Sequence, residues 1–144
     1  MMTQKELEAA RKEATRLNLA GASLLMETQD DIILRVCNGI GPEWFPADLR
    51  KAIDALHPSL KTVAIIHDLA YYFGDGTTQA FRQANADFAA NGIKIACDRY
   101  GWYNPLRYIA RHEAAKFARL CDIGGSIAYK KAIKEREEAD NASE

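Results

Sequence analysis

The sequence predicts an all-α fold of about five to seven helices. Apolar residues recur at helical spacing in several separate stretches, and glycine, proline and asparagine fall between these stretches. The chain has 144 residues, which is the size of one domain with one core. We therefore interpret residues 1–144 as a single helical domain.

The first helix is predicted to begin at Thr3, because Thr3 and Glu6 have the form of a capping box. Apolar residues then follow at helical spacing as far as Leu17. The next apolar stretch, residues 22–36, is also predicted to be helical, with a break near Gln29. One interrupted helix and two short helices are both compatible with this pattern.

Residues 38–42 combine two glycines, an asparagine and a proline, so they predict a tight loop. A short helix is predicted from Pro46 to Leu56, because proline favours the first helical turn. A buried helix then begins at Ser59, a suitable N-cap, and ends at the turn 74–76, Gly-Asp-Gly.

Three further helices complete the prediction. One is capped by Thr77 or Thr78 and ends before Gly101, and another carries a regular apolar pattern from Pro105 onward. The last begins at Ser126, and its charged end, residues 137–144, is expected to fray. The apolar face of the helix after Pro105 is expected to comprise Leu106, Ile109, Ala110, Ala114, Phe117 and Leu120.

Composition narrows the classes of function. The formal net charge is −1, so bulk charge gives no indication of nucleic-acid binding. No stretch approaches the roughly 20 apolar residues that span a bilayer, and the charged N-terminal region does not resemble a signal peptide, which predicts a cytoplasmic location. Cys37, Cys97 and Cys121 are odd in number and widely spaced, and we expect free thiols.

The candidate chemistry lies on the two helices joined by the turn 74–76. A turn this short predicts an antiparallel helix pair, in which His67 and Asp87 differ in height by about one helical turn. A hydrogen bond between them is therefore expected. An aspartate bonded to one imidazole nitrogen leaves the other free to take a proton from water, as a general base does.

Two neighbours extend this candidate site. Tyr71 lies one turn after His67 on the same face, where its hydroxyl can bond the same carboxylate. Asp68 points about 100° away, towards the glycine loop at 38–42. Loop carbonyls together with a bidentate carboxylate are suitable oxygen ligands for Ca²⁺.

These motifs together resemble the phospholipase A2 superfamily, and most closely its compact, disulfide-poor viral and bacterial members. The similarity covers about residues 37–92. It rests on a His-Asp-x-x-Tyr helix, a preceding Gly-x-Gly loop and a partial match to a later Ala-Asp-x-x-Phe motif. These are His67-Asp68-Leu69-Ala70-Tyr71, Gly39-Ile40-Gly41 and Ala86-Asp87-Phe88.

The resemblance implies a calcium-dependent hydrolase that acts on phospholipid esters. His67 would be the general base that activates water, and Asp87 would orient it with support from Tyr71. Ca²⁺ would be held by Asp68 and by carbonyls near Gly39 and Gly41, and would polarise the ester carbonyl.

Two other functions are left open. A fold relative without catalysis would serve as a structural or binding module, for example in a phage or prophage particle. An HD-type metal phosphohydrolase would also use a His-Asp pair on a buried helix, with His57 as the upstream histidine, although ten residues is a poor spacing for it. For Asp87 alone, a solvated helix position is a further interpretation, since Asn85 and Asn91 indicate a polar face.

Overall fold

The computed structural model describes residues 2–37 and 59–144. It confirms the all-α prediction, because this part of the chain forms seven helices and no strand. The predicted loop 38–42, the predicted helix Pro46–Leu56 and His57 lie outside the described residues. The helices are α1 (Gln4–Arg16), α2 (Ala22–Glu27), α3 (Asp30–Val36), α4 (Ser59–Tyr72), α5 (Thr78–Arg99), α6 (Pro105–Gly124) and α7 (Ser126–Ala142).

Local sequence signals set the helix starts. Thr3 and Glu6 form the predicted capping box, in which each side chain bonds the backbone of the other residue. The chain between residues 22 and 36 is two helices, and Gln29 is the N-cap of the second. Thr77 caps α5 with its hydroxyl, and Asn104 caps α6 with its side-chain oxygen.

Helix α4 lies at the centre of the fold. It packs against α1, α2, α3, α5 and α7, and it is apolar on nearly all sides, as a helix buried in a core must be. The core that surrounds it is formed by Leu7, Ala14, Leu25, Ile33, Val63, Ile66, Leu69, Phe88, Ile95 and Phe117.

Helices α4 and α5 form the predicted antiparallel pair. His67 on α4 meets Asn85 on α5, and four residues further along α4 the ring of Tyr71 meets that of Phe81, four residues back along α5. The pairing is therefore antiparallel with a constant register. In the connecting turn, Gly76 has φ +86°, a left-handed conformation that glycine adopts without strain.

Helix α6 packs along the other side of α5. A Cβ atom at Gly92 would lie 2.6 Å from the Cβ of Ala114, so the missing side chain lets the two helices approach closely. One turn away, Phe88 and Phe117 are stacked with ring centroids 3.9 Å apart. These contacts hold α5 between α4 and α6.

One expectation for the C-terminal helices needs correction. The apolar residues of α6 form two faces rather than one, because Ala110, Ala114 and Phe117 are buried whereas Leu106 and Ile109 are exposed. Residues 137–142 belong to α7, and the fraying of residues 137–144 stays a prediction. Among the described residues, no helix is long and apolar enough to cross a membrane.

Candidate functional site

The predicted histidine lies in the core, between α4 and α5. His67 is 8% exposed, and its Nε2 lies 2.8 Å from the Oδ1 of Asn85, which is fully buried. The hydroxyl of Tyr71 donates to the same Oδ1 over 2.7 Å. His67 and Tyr71 therefore share one hydrogen-bond partner, as predicted for a carboxylate, but that partner is the amide of Asn85.

The predicted hydrogen bond between His67 and Asp87 is wrong. Asp87 lies two residues beyond Asn85, about 200° further around α5, and so faces away from α4. It is half-exposed, and its Oδ1 accepts a hydrogen bond from the Nε2 of Gln83 over 2.9 Å. The structure thus places Asp87 on the outer side of α5, in the solvated position that was its alternative interpretation.

The sequence does contain a signal for the correct partner. Asn85 and Asn91 indicated a polar face, yet both are buried, because Asn85 lies on the apolar stripe with Phe81 and Phe88. A polar residue on such a stripe needs a buried partner. Read from Ala84, the chain has Ala84-Asn85-x-x-Phe88, which matches Ala-Asp-x-x-Phe with asparagine in the aspartate position.

The orientation of the Asn85 amide follows from its third contact. Its Nδ2 donates to the Oδ1 of Asp122 on α6 over 2.8 Å. A carboxylate can only accept, so a flipped amide would place two oxygens against each other. The Asn85 oxygen is therefore held towards His67 and Tyr71. Because this oxygen also only accepts, the His67 proton resides on Nε2 and Nδ1 carries none.

Burial sets the protonation of this group of residues. It lowers the pKa of His67 from 6.5 to about 4, although the bond to Asn85 acts in the opposite direction. The imidazole is therefore neutral at pH 7. Burial likewise raises the pKa of the Tyr71 hydroxyl, which keeps it a donor.

Aromatic rings surround the imidazole. Its centroid lies 4.2 Å from that of Tyr71, 5.4 Å from that of Phe88 and 6.2 Å from that of Phe117. Tyr71 continues the cluster to Tyr129 of α7 at 5.3 Å. Such tilted and edge-on contacts stabilise aromatic clusters. His67 thus makes the contacts of a core residue on several sides.

Asp68, the predicted calcium ligand, is half-buried on α4. Burial raises the pKa of its carboxyl from 3.8 to about 8. Its charge contributes to the raised pKa values of the Cys37 and Cys121 thiols, which burial mainly causes. The three cysteines are free, as expected, and Cys37 and Cys121 are buried.

The calcium site can be compared with the structure only at Asp68. The other predicted ligands, Gly39 and Gly41, lie outside the described residues. Within residues 2–37 and 59–144, no group of three or more histidine, cysteine, aspartate or glutamate residues is arranged to hold a metal ion. The calcium site therefore stays a prediction from the sequence.

Comparisons with known proteins add no further constraint. No protein family matches the sequence, and no characterised protein or solved structure is significantly similar to the chain.

Proposed function

We propose that this chain is a helical structural or binding module, in which the His67 cluster maintains the fold and does not catalyse hydrolysis. The observation that carries the proposal is the asparagine at position 85. The residue that accepts the Nε2–H bond of His67 is a neutral amide, whereas the predicted pair with Asp87 would have placed there a carboxylate, which stabilises the imidazolium that a histidine base becomes.

The lack of a negative charge at position 85 raises the free energy of protonating His67. As a base, His67 would become an imidazolium packed in the core against the rings of Tyr71, Phe88 and Phe117. A carboxylate partner stabilises this charge, but the Asn85 oxygen offers only a dipole. Protonating His67 would therefore carry most of the free-energy cost of burying a charge, because the dipole of Asn85 offsets only part of that cost.

The same contacts suit a structural role. Asn85 of α5 links His67 and Tyr71 of α4 to Asp122 of α6, so one amide holds three helices together. The bonds satisfy the Nε2–H of His67 and the Tyr71 hydroxyl in the core, where unmet donors are costly. A polar connection of this kind also specifies how the helices pair.

A calcium-dependent phospholipid ester hydrolase is the second candidate. It is favoured by the bare Nδ1 of His67, which the amide orientation leaves free of a proton, and by Asp68 as the next residue on the helix. Asparagine can orient a catalytic histidine, as it does in papain-like proteases. On this alternative, His67 would activate water and Asp68 would hold Ca²⁺ together with the Gly39 and Gly41 carbonyls.

Fatty-acid release from phospholipid in mixed micelles distinguishes the two candidates. We expect the wild type, assayed with millimolar Ca²⁺, to release no more fatty acid than His67→Gln, whose side chain keeps a donor for Asn85 but provides no base. We also expect no stabilisation of the fold by Ca²⁺, because one half-buried carboxyl is a weak site.

The opposite result would have a specific form. Calcium-dependent release by the wild type that disappears in both His67→Gln and Asp68→Asn, with the helical circular dichroism unchanged, would overturn the structural role. Release that persists in both variants would come from a contaminant, because neither the base nor the ligand would be needed for it.

A further inference from the structure

Helix α6 carries exposed apolar side chains at a regular spacing. Leu106 and Ile109 near its start are 50% and 57% exposed, and Ile123 near its end is 82% exposed. Leu120 is half-buried between them. A monomeric protein rarely leaves isoleucines this exposed along one line of a helix, so this surface is expected to have a partner.

The spacing is that of a coiled-coil seam. Counting from Leu106, the steps along this line alternate between three and four residues, which averages the 3.5-residue period of a heptad repeat. We name the line the α6 seam. It consists of Leu106, Ile109, Glu113, Lys116, Leu120 and Ile123.

The seam extends beyond the C-terminal end of α6. The backbone of Gly125 is right-handed helical, and bonds from Gly125 to Cys121 and from Tyr129 to Gly125 continue the helical ladder into α7. Ile127, which is 79% exposed, therefore follows Ile123 by one turn. At the other end the line stops at Leu106, because Trp102, which is 74% exposed, lies in the turn before Asn104, the N-cap of α6.

We propose that the α6 seam binds the same seam of a second copy of this chain, with the two helices antiparallel. A twofold axis would pass midway between Glu113 and Lys116. Leu106 would then face Ile123 of the second copy, and Ile109 would face Leu120. Each of these outer layers thus pairs apolar with apolar, as a self-complementary interface requires.

The charges of Glu113 and Lys116 at the centre of the α6 seam favour a second copy of the chain as the partner and an antiparallel arrangement of the two helices. Glu113 would face Lys116 of the second copy, and the twofold axis repeats that pair. Neither residue forms an ion pair within residues 2–37 and 59–144. A parallel pair of helices would place like charges opposite each other, which is unfavourable.

The central charges also disfavour a lipid surface as the partner. A membrane would have to bury Glu113 and Lys116 between the two apolar ends of the seam, where no opposite charge would meet them. The antiparallel second copy supplies a counter-charge at both positions. The pattern of charges therefore fits the chain itself better than an apolar surface.

Charge reversal followed by sedimentation equilibrium tests the proposal. The wild type should have twice the chain mass of 16.1 kDa. Lys116→Glu and Glu113→Lys should each reduce the mass to that of one chain, because each leaves only like charges at the centre. The double variant Glu113→Lys/Lys116→Glu should restore the dimer, since the exchange recreates complementary pairs.

A matched control is Lys12→Glu, a reversal at an exposed position on α1, which should leave the dimer intact. Circular dichroism should show that all variants stay folded. A wild type that stays at the mass of one chain up to sub-millimolar concentration would overturn the proposal. Single reversals that remain dimeric, or a double variant that stays monomeric, would also overturn it.

Discussion

Asn85→Asp is expected to lower the free energy of unfolding by about 3 kcal/mol at neutral pH. The substitution places a carboxyl at the fully buried position 85, about 2.8 Å from the Oδ1 of the exposed Asp122, and removes the donor that now satisfies that oxygen. His67 and Tyr71 keep their acceptor, so the loss arises between positions 85 and 122. Urea unfolding followed by circular dichroism measures it.

Asp122→Asn provides the matched rescue for this variant. In the double variant Asn85→Asp/Asp122→Asn, position 122 supplies an amide donor and the hydrogen bond re-forms in the reverse direction. We expect it to recover most of the lost stability, although Asp122→Asn alone should be destabilising. Purely additive effects of the two substitutions would mean that the bond between Asn85 and Asp122 does not contribute to the fold.

The second large effect concerns pH. Between pH 7 and pH 4 the wild type should lose about 3 kcal/mol more of its free energy of unfolding than His67→Gln loses. In the folded protein the pKa of His67 is about 4, against 6.5 for an ordinary imidazole. Below pH 6.5 the unfolded chain therefore takes up a proton that the folded chain does not, and stability falls until the pH reaches about 4.

Asp68 gives the free energy of unfolding the opposite pH dependence. The effect of His67 is therefore measured as the difference between the wild type and His67→Gln. Its raised pKa, about 8 against 3.8, means that stability is lost as the pH rises from about 4 to 8. In the wild type the two trends oppose each other between pH 4 and 6.5. Both proteins retain Asp68, so the difference between their urea midpoints at each pH isolates His67. A difference independent of pH would contradict the buried neutral imidazole.

Helix positions could be predicted from sequence because their signals are local. The capping box at Thr3, the break at Gln29 and the cap at Thr77 each depend on residues a few positions apart. The short turn between α4 and α5 likewise predicted their antiparallel pairing. Such features do not require knowledge of the rest of the fold.

The partner of His67 was harder to predict, because it depends on the direction in which a residue of α5 points as well as on its height along that helix. Asp87 lies close to the height along α5 that a bond to His67 requires, but its side chain points away from α4. Asn85 shares a face with Phe81 and Phe88, and this apolar spacing was the available signal. The contact with Asp122 could not be read from sequence, since it depends on how α6 packs against α5.

The most direct test of the structural role of His67 is a measurement of its imidazole nitrogen chemical shifts by nitrogen-15 NMR, with His67→Gln for assignment. We expect a neutral ring at pH 7 with its proton on Nε2 facing Asn85, and a titration midpoint well below 6.5. A ring that is charged at pH 7, or that carries its proton on Nδ1, would contradict the bond to the Asn85 oxygen and the role derived from it.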